Sequence, residues 1–178
     1  LLNSRLAAAM VRGYQGENLK EDNWRVAACV KHFAAYGGAL AGRDYNTVDM
    51  SRVTAMNYYM RPYQAAVEAG VGSIMTSFNE FESIPATGNT WLLNDVLRKQ
   101  WGFNGFVVSD FTAIAEMVNH GIGNRQEVGV KALKAGVDMD MIADCYHAVL
   151  KKSLEEGKIT EAEIDSACEL ADFLRFNV

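Results

Sequence analysis

Short apolar runs of extended character alternate along this chain with stretches of helical periodicity, and glycine punctuates most of the changes. Residues 23–33 read as a strand ending in Ala28-Cys29-Val30-Lys31-His32-Phe33, and Val71 to Phe78 reads as a second. Phe106-Val107-Val108-Ser109-Asp110 is a third, and Val137 to Met141 a short fourth. A helix over Leu2 to Val11, closed at Gly13, precedes the first strand. Ser51 caps the next, whose apolar stripe of Val53, Met56, Tyr59, Met60, Tyr63 and Val67 stops at Gly70, with a kink expected at Pro62. Further helices are expected over Asn89 to Gln100, Ala113 to Asn119 and Gln126 to Lys134. Two last ones are separated by Gly157, the final one opening on the capping box Thr160-Glu161-Ala162-Glu163. Strands that alternate with helices pair in parallel through right-handed crossovers, so the expected fold class is α/β.

Hydrophobic residues make up 49% of the chain, enough for a substantial core. Seventeen basic residues stand against 22 acidic ones, a net charge of -5, which argues against a nucleic-acid partner. Apolar runs fall far below the ~18 residues of a membrane span, so no membrane partner is expected either. The cysteines, Cys29, Cys145 and Cys168, are odd in number and lack C-x-x-C spacing, which favours idle thiols over disulfides or zinc. Dinucleotide and P-loop glycine motifs are absent, as is Gly-x-Ser-x-Gly, so no cofactor is expected.

Two long connections leave strand ends, Tyr36 to Met50 and Asn79 to Gly88, and parallel sheets place their chemistry on that side. Asp110 ends an almost wholly apolar strand, where its charge needs a partner or must be neutralised. Lys31 is the cation a neighbouring strand offers. The residues alone leave this open between a structural ion pair and a reacting carboxylate. His32 is equally open between a core histidine and a ligand-facing one, because neighbours on a strand point to opposite faces. Gly37-Gly38 permits an unusual backbone beyond them. Phe78 and Phe111 suit either a core or a flat platform at the mouth. Asp138 and Asp140 share a strand face, yet their surroundings are apolar, which disfavours a metal. Arg43 and Asp44 read as a solvated surface pair.

Five segments in order, CVKHFAAYGG (29–38), GRDYNTVDMS (42–51), MTSFNEF (75–81), TWLLNDVLRKQWGFNGFVVSDF (90–111) and GVDMDM (136–141), resemble the motifs of glycoside hydrolase family 3, in particular bacterial periplasmic-type β-glucosidases. The resemblance implies Asp110 as catalytic nucleophile, and Lys31 and His32 as binders of sugar hydroxyls in the −1 subsite. It also implies Met75 and Phe78 as lining for that subsite, and Phe111 as a platform where many members carry Trp. Phe78 stands where Tyr is frequent, and the departures around Tyr36 argue against amino-sugar hydrolysis. Residues 1–178 are then expected to be a fragment of one catalytic (β/α)8 TIM-type barrel, with the acid/base in a following domain. The resemblance implies retaining hydrolysis of terminal β-D-glucosidic bonds, a β-glucoside or oligosaccharide substrate, no cofactor and an extracytoplasmic setting. It also implies the remainder of a parent enzyme as partner; its absence leaves open edges that invite self-association. The alternatives are a β-xylosidase and a non-catalytic carbohydrate-binding module on the same fold.

Overall fold

The computed structural model describes residues 1–16 and 24–177, with side chains to residue 172. Helix α1 (Leu2–Gln15) runs past Gly13 and closes at Gly16, whose φ is 68°. The extension has a use. The buried Gln15 amide donates to the Gly70 carbonyl at 2.8 Å, and its oxygen accepts from the amides of Ala28 at 2.9 Å and Gly72 at 2.8 Å. One side chain thereby fastens α1 to the starts of two strands.

The first strand, β1, is Cys29–Phe33, shorter than expected, since residues 24–28 are not extended partners of the sheet; the expected start at Asn23 lies outside the described residues. Next come the two-residue strand β2 (Thr47–Val48) and the single turn α2 (Arg52–Thr54), capped by Ser51 as expected. A wider π-type turn (Ala55–Tyr59) leads into α3 (Arg61–Glu68). Pro62 sits in the first positions of α3, where its missing N–H costs nothing, so it starts a helix instead of kinking one.

Strand β3 (Ser73–Thr76) is followed by β4 (Glu80–Phe81), β5 (Ile84–Pro85) and a π-helix over Trp91–Gln100. Then come β6 (Phe106–Val108), the short α4 (Ala113–Glu116), α5 (Arg125–Ala135), α6 (Cys145–Glu155) and α7 (Glu161–Asn177). The capping box before α7 forms: the Thr160 amide donates to the Glu163 carboxylate at 2.7 Å, and the Glu163 amide to the Thr160 hydroxyl at 3.3 Å.

The main sheet is three-stranded and parallel, in the order β1-β3-β6, matching the expected α/β class. The expected fourth strand is reduced to one parallel bridge, Val108 to Met139, and beyond it Met141 is held by the Ser109 hydroxyl and the Thr112 amide instead of by strand pairing. Phe33, Ile74, Leu92, Leu93, Leu97, Val107 and Ile114, all fully buried, fill the space between the sheet and its helices. The two long connections are not structureless. They meet in a second sheet, β2-β4-β5, with Thr47 opposite Glu80 and Val48 opposite Phe81 in parallel, over the carboxyl ends of the main strands. Two-residue strands lie below any periodicity signal, which is why the sequence reads them as loop.

Candidate active site

Strand β6 is wholly apolar and ends at Ser109, whose amide donates to the Met139 carbonyl at 2.9 Å, so the chain is still held by its neighbour when it delivers Asp110. Immediately after, Thr112 takes a left-handed φ of 57° and the backbone turns into α4. Asp110 is thus presented on a tight strand-to-helix corner. One carboxylate oxygen accepts the Phe111 amide at 2.7 Å; the other stands 3.4 Å from Nε2 of His32, an ion pair whenever that imidazole is protonated. Its side chain is 13% exposed and that of His32 29%, so both are largely shielded yet reachable.

The partner of Asp110 is therefore His32, not Lys31. Register between β1 and β3 slips between Val30 and Phe33, and His32, at the slip, turns toward Asp110. Lys31 remains on the exposed side with Cys29 and lines a different cavity, of about 620 Å³, together with Met10, Val11 and Tyr14 of α1 and Tyr59 and Tyr63 of the α3 region. That cavity is mostly apolar, and through Ala35, Tyr36 and Gly37 its rim reaches the loop whose Tyr36 ring packs on His32. The Tyr63 hydroxyl donates to the His32 carbonyl at 2.6 Å, pinning the backbone at the slip, and burial pushes that phenol up to about 12.

Tyr36, four residues beyond His32, packs its ring against the imidazole at a centroid distance of 5.3 Å, and its hydroxyl donates to Asp44 at 2.7 Å. Partial desolvation, then the Asp44 carboxylate, raises Tyr36 to about 12. Asp44 thus serves Tyr36 and forms no ion pair with Arg43. The left-handed residues around this loop are Ala35 (φ 60°), Ala41 (57°), Gly42 (63°) and Tyr45 (59°), and Gly38 serves close approach instead: a β-carbon there would lie 2.8 Å from Met50. Met75, half-buried near the end of β3, pairs in register with Val108. Phe78, two residues past β3, lies against Tyr45 with centroids 4.4 Å apart. Phe111 is 57% exposed on the far side of the corner. His32 and Asp110 come into contact; Phe111 meets Asp110 through its backbone amide, its ring facing solvent, and Lys31 flanks the pair.

The carboxylates that could act with Asp110 are already engaged. Glu80 accepts from the Thr47 hydroxyl at 2.6 Å and pairs with His120 at 2.7 Å, and the Thr47 hydrogen bond, followed by His120, lowers its pKa despite partial burial. Glu82 is held by Arg52 at 2.6 Å, and Glu116 accepts from the Asn119 amide at 3.0 Å. Asp138 binds Arg98 at 2.8 Å and the Val107 amide at 2.7 Å; Asp140 accepts the amides of Cys145 at 2.6 Å and Tyr146 at 3.1 Å, at the start of α6. Among the described residues, no three His, Cys, Asp or Glu side chains converge where an ion could sit. The cysteines are free thiols.

The sequence marks Tyr36 only as a departure from a family pattern, and it gives no sign of Tyr45 or of the Thr47–Glu80–His120 chain. The spacing of Tyr36 after His32 was visible, but the other contacts join residues more than 30 positions apart.

A carboxylate on a corner at the carboxyl end of a parallel α/β sheet, flanked by an imidazole and aromatic rings, is the arrangement expected of a candidate site in a barrel-type enzyme. The chain belongs to glycosyl hydrolase family 3: residues 2–170 match the model of that family's N-terminal domain. It is 46% identical over 167 residues to a periplasmic β-glucosidase of Salmonella typhimurium, covering 93% of this chain and 22% of that protein. A β-xylosidase of Formosa agariphila is 38% identical over 177 residues, with 93% and 24% covered. The crystal structure of a Listeria innocua β-glucosidase in complex with isofagomine superimposes with a TM-score of 0.96 at 46% identity, over 99% of this chain and 25% of that one. The chain thus spans a quarter or less of the length of these relatives.

Proposed function

We propose that this chain is the nucleophile-bearing part of a retaining β-glucosidase, one portion of a barrel completed by further polypeptide. The observation that carries the reading is Asp110: a strand-end carboxylate with one oxygen fixed by the Phe111 amide and the other beside His32. In the reaction, one Asp110 oxygen attacks the anomeric carbon as the bond to the leaving oxygen breaks, and a second carboxylic acid protonates that oxygen. Water then displaces Asp110 with the same residue acting as base, so configuration is retained. His32 steadies the carboxylate before attack and, with Lys31, offers donors to the sugar hydroxyls; Met75 and Phe78 line the apolar side.

The acid must lie about 5–5.5 Å from the nucleophile. Membership of family 3 implies that the acid comes from a following domain, and the engagement of Asp44, Glu80, Glu82 and Glu116 with protein partners agrees with that. The coverage of relatives favours the same view, as does the free outer edge of β1 beside an apolar cavity. The 178 residues alone should accordingly self-associate and be nearly inactive. Likeness to a periplasmic enzyme favours an extracytoplasmic setting. No helix among the described residues is long and apolar enough to cross a membrane. The β-xylosidase relative supports a second reading, in which the sugar lacks the hydroxymethyl group.

A 2-deoxy-2-fluoro-β-glucoside with an activated leaving group tests the proposal on the longest natural polypeptide carrying this chain. A covalent adduct on the peptide containing Asp110 is expected. Reversible binding without an adduct would mean a carbohydrate-binding module, and an adduct elsewhere would remove Asp110 from the role. Faster labelling by the xyloside analogue would select the second reading.

A further inference from the structure

Tyr45 has no role in the chemistry above, and its geometry calls for one. It is a bulky residue held at φ 59°, a region that a β-carbon opposes and that residues outside turns and functional sites seldom occupy. Its ring does not repay the strain by entering a core, for 47% of the residue is exposed. It lies instead against Phe78, centroids 4.4 Å apart and planes at 41°.

Both rings are braced from behind by one ladder. Asn46 donates to the Leu40 carbonyl at 3.1 Å and accepts the Thr47 amide at 2.9 Å, which fixes the turn around Tyr45. Two residues after Tyr45, β2 begins its pairing with β4, which itself begins two residues after Phe78. The Tyr45 hydroxyl has a raised pKa, first because it is partly desolvated and then because the carboxylates of Glu116, Asp44 and Asp110 act on it. Geometry places the ring at the same mouth: Asp44, its neighbour in the chain, accepts the Tyr36 hydroxyl at 2.7 Å, and the Tyr36 ring packs on His32, which meets Asp110. A fixed, half-exposed aromatic face beside a reacting carboxylate suits the C–H face of a sugar ring. The glycosyl unit that reacts needs donors for its hydroxyls, which Lys31 and His32 offer. A carbon surface that is open to solvent suits the unit that must leave.

We propose that Tyr45, backed by Phe78, is a binding residue for the leaving-group sugar, so that the preferred substrates are β-linked disaccharides and oligosaccharides over simple alkyl glucosides. The inference rests on the reading of Asp110 as nucleophile. It differs from the sequence expectation, which gave the platform to Phe111; among the described residues Phe111 stacks on no other ring.

The test compares cellobiose with methyl β-glucoside in the longest natural polypeptide, as wild type and as Tyr45→Ala, Tyr45→Gly and Tyr45→Phe. The glycine variant removes the ring while favouring the positive φ, so it guards against misfolding of the alanine one. Loss of the ring should raise KM for cellobiose roughly tenfold, while kcat/KM for the methyl glucoside stays within about twofold and Tyr45→Phe stays near wild type on both. Equal losses on both substrates, or unchanged cellobiose kinetics, would overturn the proposal. Fluoroglucoside labelling of the same preparations separates the two readings. Normal labelling of Asp110 with unchanged cellobiose kinetics removes Tyr45 alone, whereas failure of wild type to label removes the reading of the site beneath it.

Discussion

Two aspartates lie against strand β6 in this molecule and have opposite fates. Asp138, beside Val107, has a side chain only 5% exposed; its Oδ2 takes both the Arg98 guanidinium and the Val107 amide. Arg98 in turn donates to the Gly105 carbonyl at 2.6 Å, so the pair clamps the π-helix to the start of β6. Asp110, at the other end of the same strand, has one backbone donor and a histidine 3.4 Å away. A carboxylate beside this strand is thus part of the framework where burial and fixed donors engage it, and is open to the proposed chemistry where one oxygen faces a reachable mouth.

Three substitutions would break or sharpen that contrast. The largest effect should come from Asp110→Ala in the longest natural polypeptide: kcat should fall roughly a thousandfold or more, because the covalent route is deleted. The melting temperature should stay near wild type, and added azide should restore part of the turnover. A mutant within about tenfold of the parent would remove the distinction between the two aspartates. Asp138→Ala should do the reverse. Leaving Arg98 buried without its partner should cost about 3–5 kcal/mol in denaturant unfolding, with turnover per folded molecule little changed. A stable Asp138→Ala protein would show that the clamp carries little.

The smallest effect concerns pH. Burial raises the Asp138 carboxyl to about 6, although Arg98 and the Val107 amide draw it down. Between about pH 4, where an unfolded Asp releases its proton, and pH 6, the native state keeps a proton that the unfolded state has lost. This group's contribution to stability therefore falls as pH rises through that window and is constant above it. Asp138→Asn should flatten that slope, measured as the difference in unfolding free energy between pH 4.5 and 6.5. An unchanged slope would mean that Arg98 holds the carboxyl ionised throughout.

The contrast was only partly legible in the residues. An apolar strand running into Asp110 marked the corner, since Phe106 to Val108 left nowhere else for a charge to go. The partner was misjudged because strand alternation alone cannot show a register slip. The slip between Val30 and Phe33 exchanges the Lys31 pairing for His32 and leaves Lys31 on an apolar groove. Composition disfavours Asp138 and Asp140 as metal ligands but does not say what engages them. What consumes them is Arg98, 40 residues upstream, and the start of α6, contacts with no sequence period. Helix ends fared better where capping was local, as at Ser51 and Thr160. They failed at Gly13, since the fixed point is Gln15, whose three partners come from elsewhere.

The ladder that pairs Thr47–Val48 with Glu80–Phe81 means that the two walls of the mouth form one mechanical part. A segment exchanged from a relative to alter substrate choice would bring one wall into register with a foreign counterpart, and Thr47 would then face whatever replaced Glu80. Grafts between members of this family should therefore succeed when residues 36–50 and 79–88 travel together, and substitutions that shift preference should accumulate in both stretches as matched pairs.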